Sequence, residues 1–404
     1  MKLAELSLAQ VAIYAFPLIF AVVCARKLGP ANYGVVAFYT ALTPFLCMFI
    51  EFGFDTIGVR EVHARSRRVE PEQVMWSVTL AKLLVCLLTC IVAVPVLLAT
   101  RSSAEASMAY AMLVYLIAFA LDTSWYLRSL ELMRSVMFLA AASRLAGIIL
   151  LVCVVTGHED MAAAMWTYTF VAWANAILGW LLMRKSRVLG RPRIELPHLH
   201  SLFKSGASIV VGGLSAASIT TGGIVVLGAL ADPVLTGAAS MALRIRTAGQ
   251  APLLPLIQLG FVRLSTLVGS DRMAAVAFGR RLFYALMAIS LAIALLIIVN
   301  ADFIAALAYG LPAAPEPAGV LVRVLAIGIP VGVAGNLFGL QCLTLFEQER
   351  AYVFVLLVAA AIFFGLLLFS NASNSANYGW ALLAAESWAV LAAGLQLRRV
   401  LRAT

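Results

Sequence analysis

Long, nearly unbroken apolar runs are the feature that most restricts the fold of this chain, and the run from Ser77 to Thr100 is typical. A helix of about 20 apolar residues is long enough to cross a bilayer. Only 12% of the residues are charged and 63% are hydrophobic, which excludes a disordered chain and a soluble globular enzyme. The runs do not alternate apolar and polar residues, as a membrane barrel requires. The sequence therefore predicts an all-α polytopic membrane protein.

Twelve apolar segments are long enough to span the membrane. They lie near 7–25, 33–54, 76–99, 108–127, 135–156, 162–183, 206–230, 235–265, 281–300, 318–345, 351–370 and 377–397. A longer connection between the sixth and seventh spans divides them into two sets of six. We predict an N-terminal six-helix lobe at 1–184, a basic cytoplasmic linker at 185–205 and a C-terminal six-helix lobe at 206–404.

The basic residues support this count independently. If the N-terminus is cytoplasmic, most Lys and Arg residues fall in cytoplasmic segments, and only Arg26, Lys27 and Arg101 fall in outer ones. Cytoplasmic loops of membrane proteins carry such an excess of positive residues. The alternation predicts that both termini are cytoplasmic, and it accounts for the net charge of +10 without a nucleic-acid partner.

Motifs for enzymatic chemistry are missing from the sequence. The phosphate-binding pattern Gly-x4-Gly-Lys-Ser/Thr does not occur. The histidines lie in predicted loops, and His198 and His200 lack further ligands for a metal. No nucleophile, base and orienting group can be assembled from nearby positions. We therefore predict a transporter, not an enzyme, with no cofactor and no metal.

Several ionisable side chains lie at membrane depth, where each costs at least a few kcal/mol. Arg244 and Arg246 lie roughly 14 to 17 Å into the eighth span, at about 1.5 Å per residue. Their spacing of two places them about 200° apart on a helix, so we expect one to line a cavity and the other to face a neighbouring helix. Because the guanidinium fork binds phosphate oxygens bidentately, these residues favour an anionic substrate.

Other charges within the spans leave alternatives open. Arg144 lies roughly 13 Å into the fifth span and Asp122 lies at a similar depth in the fourth, so a structural ion pair between them competes with a substrate role. Glu386, near the middle of the last span, has no obvious partner; it either carries a proton or forms a structural hydrogen bond. Lys82 and Arg323 lie near span ends, where long side chains can reach the interface.

The second and eighth spans carry two further features. Glu51 and Asp55 close the second span beside Arg60 and Glu61, which favours local pairing among these residues. The eighth span contains Pro252 and Pro255, and proline kinks a helix because it removes a backbone hydrogen bond. We expect a bend there.

Three motifs resemble those of a known family. One is the run Arg-Lys-Leu-Gly-Pro-Ala-Asn-Tyr-Gly at 26–34, between the first two spans. The second is Phe-Gly-Phe-Asp followed by Gly-Val-Arg-Glu, at 52–61, and the third is Tyr-Gly at 309–310 followed by Val-Arg-Val-Leu-Ala at 322–326. They resemble the O-antigen and polysaccharide flippases of the multidrug/oligosaccharidyl-lipid/polysaccharide superfamily, and the resemblance covers essentially the whole chain.

This resemblance implies two six-helix lobes around a central cavity in the bacterial inner membrane. It also implies that an undecaprenyl-diphosphate-linked oligosaccharide is moved from the inner to the outer leaflet by alternating access, driven by a proton or sodium gradient. The partners that it implies are this substrate, membrane lipids, a polysaccharide polymerase and a chain-length regulator. Spans one, two, seven and eight would line the cavity.

Depth, charge and resemblance together predict two sets of functional residues. The substrate-binding set is Arg244, Arg246, Arg144, Arg26, Tyr14, Gln10, Ser218 and Thr221. The ion-coupling set is Glu386, Asp122 and Glu51. Relatives often carry charges in the seventh span, whereas the stretch 218–222 has none. Because of this departure, we expect the coupling role to fall on residues of the eighth and twelfth spans.

Three alternative functions remain open at this point. A drug/cation antiporter of the same superfamily would have acidic rather than basic cavity residues. A membrane glycosyltransferase or polymerase would act on lipid-linked sugar in detergent, without a gradient. A scaffold inside a polysaccharide assembly complex would tolerate the loss of every charge near the bilayer midplane.

Overall fold

The computed structural model describes residues 2–63, 70–100, 103–192, 195–270, 272–343, 345–346, 348–369 and 375–403. Within these ranges it describes the side chains except those at 2–14, 95–100, 103–104, 208–209, 216, 268–270, 272, 340, 349, 375 and 401–403. The described residues form helices joined by short connections and no strands, which confirms the predicted all-helical class. The chain divides into two compact units, Met1–Ala217 and Ser218–Thr404. The lobe and linker boundaries at 184 and 206 stay a prediction.

The first unit contains eight helices in its described part. They are α1 (Lys2–Glu51), α2 (Phe54–Val62), α3 (Pro71–Thr100), α4 (Ser103–Ala120), α5 (Ser124–Ser129), α6 (Met133–Val154), α7 (Met161–Lys185) and α8 (Leu196–Ala217). Helix α4 packs on α7, and α6 packs on both α1 and α7. A core of aromatic and aliphatic side chains, which includes Trp125 and Tyr126 of α5, joins α2, α3, α5 and α8.

The second unit begins with a π-helical turn, Ser218–Gly222. Its α-helices are α9 (Gly223–Leu230), α10 (Pro233–Gln250), α11 (Leu254–Ser270), α12 (Arg272–Val299), α13 (Ala301–Tyr309), α14 (Glu316–Gly335), α15 (Glu349–Phe369) and α16 (Ser375–Ala403). A second π-helical segment, Asn336–Leu343, continues α14. Helix α14 packs against α10, α12, α13 and α16, and its Leu321, Leu325 and Ile329 are fully buried. It is therefore the central helix of this unit.

Two glycine turns shape the first unit. Gly29 interrupts α1 with φ 80°, a left-handed conformation that glycine adopts without the steric cost of a Cβ. His158, in the connection before α7, holds this turn: its Nδ1 lies 2.8 Å from the Leu28 carbonyl oxygen. Gly53, with φ 76°, separates α1 from α2. Both glycines belong to motifs singled out in the sequence.

Ten helical segments in the described part of the chain are long and apolar enough to cross a membrane. The predicted first and second spans lie in the single element α1, on either side of the Gly29 turn. The predicted eighth span is divided into α10 and α11 by a 3₁₀ turn, Ala251–Leu253. Pro252 lies in that turn, so the helix is interrupted where the bend was expected. The count of twelve spans stays a prediction.

Candidate functional site

A buried ion pair joins α10 and α16 in the second unit. Arg246 Nη2 donates to Glu386 Oε2 at 2.6 Å and to the Gly328 carbonyl oxygen at 2.9 Å. The side chains are 7% and 18% exposed. Removing such charges from water costs several kcal/mol per ion, so a pair of this kind persists only with good geometry and further hydrogen bonds. Glu386 therefore has a partner, contrary to the sequence prediction.

The arginine lies against a small-residue surface of α14. A Cβ atom on Gly328 would come within 2.8 Å of Arg246 Cζ, and one on Gly332 would come within 3.0 Å of Arg246 Nη2. One turn after the arginine, Gln250 Nε2 donates to the Ile329 carbonyl oxygen at 3.3 Å. The two glycines, spaced by four, leave the backbone accessible to these donors.

Two polar atoms at or near this ion pair have no hydrogen-bond partner among the described residues. They are Arg246 Nε and the Tyr378 hydroxyl, and both are buried. Tyr378 lies within electrostatic range of both Arg246 and Glu386. Buried polar groups are normally satisfied by protein or by water. Arg246 Nε and the Tyr378 hydroxyl therefore depart from this pattern, which sets them apart from the other polar atoms of the pair.

Arg244, two residues before Arg246, has a different environment. It is half-buried, and no hydrogen bond or ion pair joins it to another residue in the described ranges. The two arginines thus have different environments, as their spacing predicts. The guanidinium of Arg246 is paired with a carboxylate, and that of Arg244 is not.

A second buried ion pair lies in the first unit. Lys82 of α3 is 1% exposed and pairs with Asp55 of α2. Its ammonium also lies 5.6 Å from the centroid of the Phe119 ring, a favourable cation–π arrangement. The prediction that Lys82 reaches the membrane interface is therefore wrong. The prediction that Asp55 pairs with residues near it in the sequence is wrong as well, because its partner Lys82 comes from another helix.

Two further acidic residues of the first unit, Glu61 and Asp122, have partners from other elements. Glu61 accepts a hydrogen bond at 2.7 Å from Nε2 of His198, at the start of α8. Asp122 Oδ1 accepts from Ser124 Oγ at 2.8 Å and from Asn175 Nδ2 at 2.9 Å. Glu51 is half-buried at the end of α1.

Arg144 has no ion pair with Asp122 in the described part of the chain. Its Nη1 donates to the Ala140 carbonyl oxygen at 2.8 Å, within its own helix. It lies within electrostatic range of Tyr115 and Tyr168, whose rings stack with centroids 5.1 Å apart. The structural ion pair that competed with a substrate role is thus not formed.

The comparison with known proteins decides the family. Residues 2–261 match the sequence model of a family described as polysaccharide biosynthesis protein. The chain belongs to the polysaccharide biosynthesis protein family. The resemblance drawn from the loop motifs is therefore confirmed.

Two curated relatives support this membership. A protein named as a candidate O-antigen transporter of Escherichia coli (strain K12) is 23% identical over 366 residues, which cover 90% of this chain and 88% of that protein. A protein of the same name from Shigella dysenteriae is 23% identical over 261 residues, which cover 64% of this chain and 65% of that protein.

Solved structures show which fold this polysaccharide biosynthesis protein adopts. An inward-facing multidrug resistance MATE family transporter of the MOP superfamily is 14% identical, with a TM-score of 0.70 over 97% of this chain and 98% of that chain. The lipid II flippase MurJ in an inward closed conformation is 14% identical, with a TM-score of 0.71 over 97% and 87%. The protein is a multi-pass helical membrane protein with the fold of these transporters.

The other predicted site residues of this polysaccharide biosynthesis protein are distributed over several elements. Arg26 is exposed next to the Gly29 turn, and Ser218 and Thr221 are half-buried in the first π-helical turn of the second unit. The side chains of Gln10 and Tyr14 lie outside the described residues. Among the described residues, no group of three or more His, Cys, Asp and Glu side chains could hold a metal ion.

Sequence reasoning missed four residues of the site, which are Gly328, Gly332, Gln250 and Tyr378. For the two glycines, the signal that could have found them is their Gly-x3-Gly spacing around Pro330 in the predicted tenth span. Such spacing permits close approach between membrane helices. Here the spacing lets the side chains of Arg246 and Gln250 reach backbone carbonyl oxygens of α14.

Proposed function

We propose that this protein flips an undecaprenyl-diphosphate-linked oligosaccharide across the bacterial inner membrane during O-antigen or polysaccharide biosynthesis. The observation that carries the proposal is the buried Arg246–Glu386 pair with unmatched hydrogen-bonding capacity beside it. Intramembrane ionisable groups typically mark substrate or ion pathways. Family membership and the names of the two curated relatives support the same class of substrate.

In this proposal the two midplane arginines have different roles. Arg244 binds the diphosphate, since charge-assisted hydrogen bonds to phosphate are among the strongest that a protein makes. Arg246 is held by Glu386 until a proton binds that carboxylate. The neutral acid then releases the guanidinium, which becomes available to the anionic substrate. Proton binding and substrate binding would thereby be coupled.

The wider arrangement belongs to the proposal as well. Twelve spans form two six-helix lobes, both termini are cytoplasmic, and transport occurs by alternating access driven by a proton or sodium gradient. Arg144, with the tyrosine pair next to it, contributes to substrate binding from the N-terminal lobe, and Asp122 and Glu51 contribute to ion coupling. A polysaccharide polymerase and a chain-length regulator act on the exported product.

The direct test is flipping in proteoliposomes. Purified protein is reconstituted with a fluorescent undecaprenyl-diphosphate-linked oligosaccharide, and an external lectin reports the fraction of sugar on the outer leaflet. We expect Arg244→Ala to slow flipping about tenfold to hundredfold, because a hydrogen bond to a charged group contributes about 1.5–3 kcal/mol. We expect Glu386→Gln to abolish stimulation by a pH gradient, because the amide cannot titrate.

Arg323→Ala is the matched control. Arg323 lies in the same unit, but it is 47% exposed and pairs at the surface with Asp302, so its removal should leave flipping unchanged. Unchanged flipping by Arg244→Ala would exclude the diphosphate role. Hydrolysis or elongation of the sugar without transfer between leaflets would instead favour an enzyme.

A further inference from the structure

The second unit contains a cavity of about 610 Å³ that the proposed flipping site does not use. It lies between α11, α12, α16 and the π-helical segment Asn336–Leu343. Its wall is almost entirely apolar and includes Leu264, Phe283 and Leu397. Phe283 stacks on Phe338, with ring centroids 5.1 Å apart. Ligand pockets in proteins typically have volumes of about 300–1,000 Å³, so a hydrocarbon chain of substantial length fits.

Two arginines are the charged residues of the described cavity wall. Arg280 lies in the first third of α12, and Arg398 lies near the end of α16. Both are exposed, and neither forms an ion pair with another described residue. The cavity thus has an apolar interior and a cationic rim.

The rim lies at the more basic end of the unit. Arg281 and Arg399 follow the two rim arginines directly, and Arg263 comes from the same end of α11. The opposite end of α12 leads to Asp302 at the start of α13. Because positive residues collect on the cytoplasmic side, we expect the rim to face the inner leaflet.

We propose that this cavity is a binding site for an anionic membrane phospholipid of the inner leaflet. An acyl chain would occupy the apolar interior, and the headgroup phosphate would bind Arg280 and Arg398. Basic pockets between transmembrane helices on the cytoplasmic side bind anionic lipid headgroups in this way. This inference requires that the protein lies in a membrane with this basic end on the cytoplasmic side, and it is independent of the proposed cargo.

The test is lipid retention by the purified full-length protein, measured by native mass spectrometry. Dioleoylphosphatidylglycerol supplies both chain and charge, dioleoylphosphatidylcholine supplies chains with no net charge, and glycerol phosphate supplies the charge alone. We expect one phosphatidylglycerol molecule per chain and no comparable retention of the other two. Equal retention of phosphatidylcholine, or binding of glycerol phosphate alone, would overturn the proposal.

Paired arginine variants test the rim. Arg280→Ala with Arg398→Ala should reduce phosphatidylglycerol retention about tenfold or more, since charge-assisted hydrogen bonds are lost. Arg281→Ala with Arg399→Ala removes the same charge from neighbouring positions outside the cavity wall, and it should retain the lipid. An equal loss in both double variants would indicate nonspecific attraction and contradict the site.

A glycine variant tests the interior separately. A Cβ atom on Gly279 would lie 3.6 Å from Leu264 Cδ1, so Gly279→Leu projects a side chain into the cavity with little initial obstruction. Gly365→Leu, where nothing lies within 4 Å of the added Cβ, is the matched control in the same unit. Only the first should lose the lipid, with both variants monodisperse. Retention by Gly279→Leu, or displacement of phosphatidylglycerol by equimolar undecaprenyl phosphate, would refute the assignment.

Discussion

At the scale of single residues, desolvation decides how this protein uses its charges. Lys82 and Arg246 are both buried, and each forms an ion pair with a carboxylate from another helix. A lone charge at such positions would be far costlier than a pair. Arg244, which is half-buried, has no such partner within the described ranges. The contrast separates two cations that are engaged in ion pairs between helices from one that is not.

The Lys82–Asp55 pair gives a stability prediction. Lys82→Met leaves the Asp55 carboxylate without its ammonium partner, so we expect destabilisation of about 3–5 kcal/mol, the usual result of removing one member of a buried pair. Thermal unfolding in detergent would measure it. Lys82→Met combined with Asp55→Asn should recover part of the loss, because the uncompensated charge is then removed.

Exposed Lys185 provides the control for this prediction. Lys185→Met removes the same charge from the end of α7, where the side chain is solvent-accessible, and should leave the unfolding temperature nearly unchanged. If Lys82→Met unfolded at the wild-type temperature, the pair would contribute nothing to stability.

At the scale of helices, glycines set how closely neighbouring elements approach. Gly58 of α2 faces Trp125 of α5, and a Cβ atom at this position would lie 2.5 Å from Trp125 Cζ3. Trp125 is 1% exposed in the core of the first unit, so the ring has little room to move. The glycine in the motif at 58–61 is therefore explained by packing, with no need for a ligand.

Substituting this glycine should weaken the contact between α2 and α5. We expect Gly58→Ala to destabilise the protein by about 1–3 kcal/mol, the usual cost of overpacking a core. Gly365→Ala is the reference, because this substitution raises the helix propensity by the same amount and the added Cβ meets no neighbouring atom. The difference between their unfolding temperatures isolates the clash. Equal temperatures would mean that Trp125 moves aside at no cost.

At the scale of the whole molecule, the number of membrane crossings gives the clearest prediction. If α1 crosses twice through its Gly29 turn, the N-terminus and Leu189 lie on the same side of the membrane. If it crosses once, the ten apolar segments place them on opposite sides. We expect the first result. We also expect Asn32 and Ala314 to face the periplasm.

Reporter fusions can measure this topology. Green fluorescent protein fused after Leu189 or at the C-terminus should fluoresce, and alkaline phosphatase fused after Asn32 or Ala314 should be active. An active phosphatase after Leu189 would contradict the twelve-span arrangement. A C-terminal fusion reports the final side independently of the folding of any truncated segment.

Much of the architecture could be predicted from the sequence. The length of an apolar run, which is a local property of the chain, relates directly to the thickness of the bilayer. The orientation that the basic residues indicate stays a prediction. The loop motifs at 26–34 and 52–61 indicated the family correctly. Each contains a glycine with positive φ, at 29 and 53, that a tight turn requires.

The charged residues show where such prediction ends. Each of Lys82, Glu61 and Glu386 has a partner that the sequence did not reveal, and Arg246 lies 140 positions from Glu386. Which ions meet depends on helix rotation and on packing against small residues such as Gly328. By itself the sequence determined the membrane class, the all-helical architecture and the family, because these depend on local composition and motif. Only the tertiary structure decided which charges are neutralised, because that depends on contacts between distant helices.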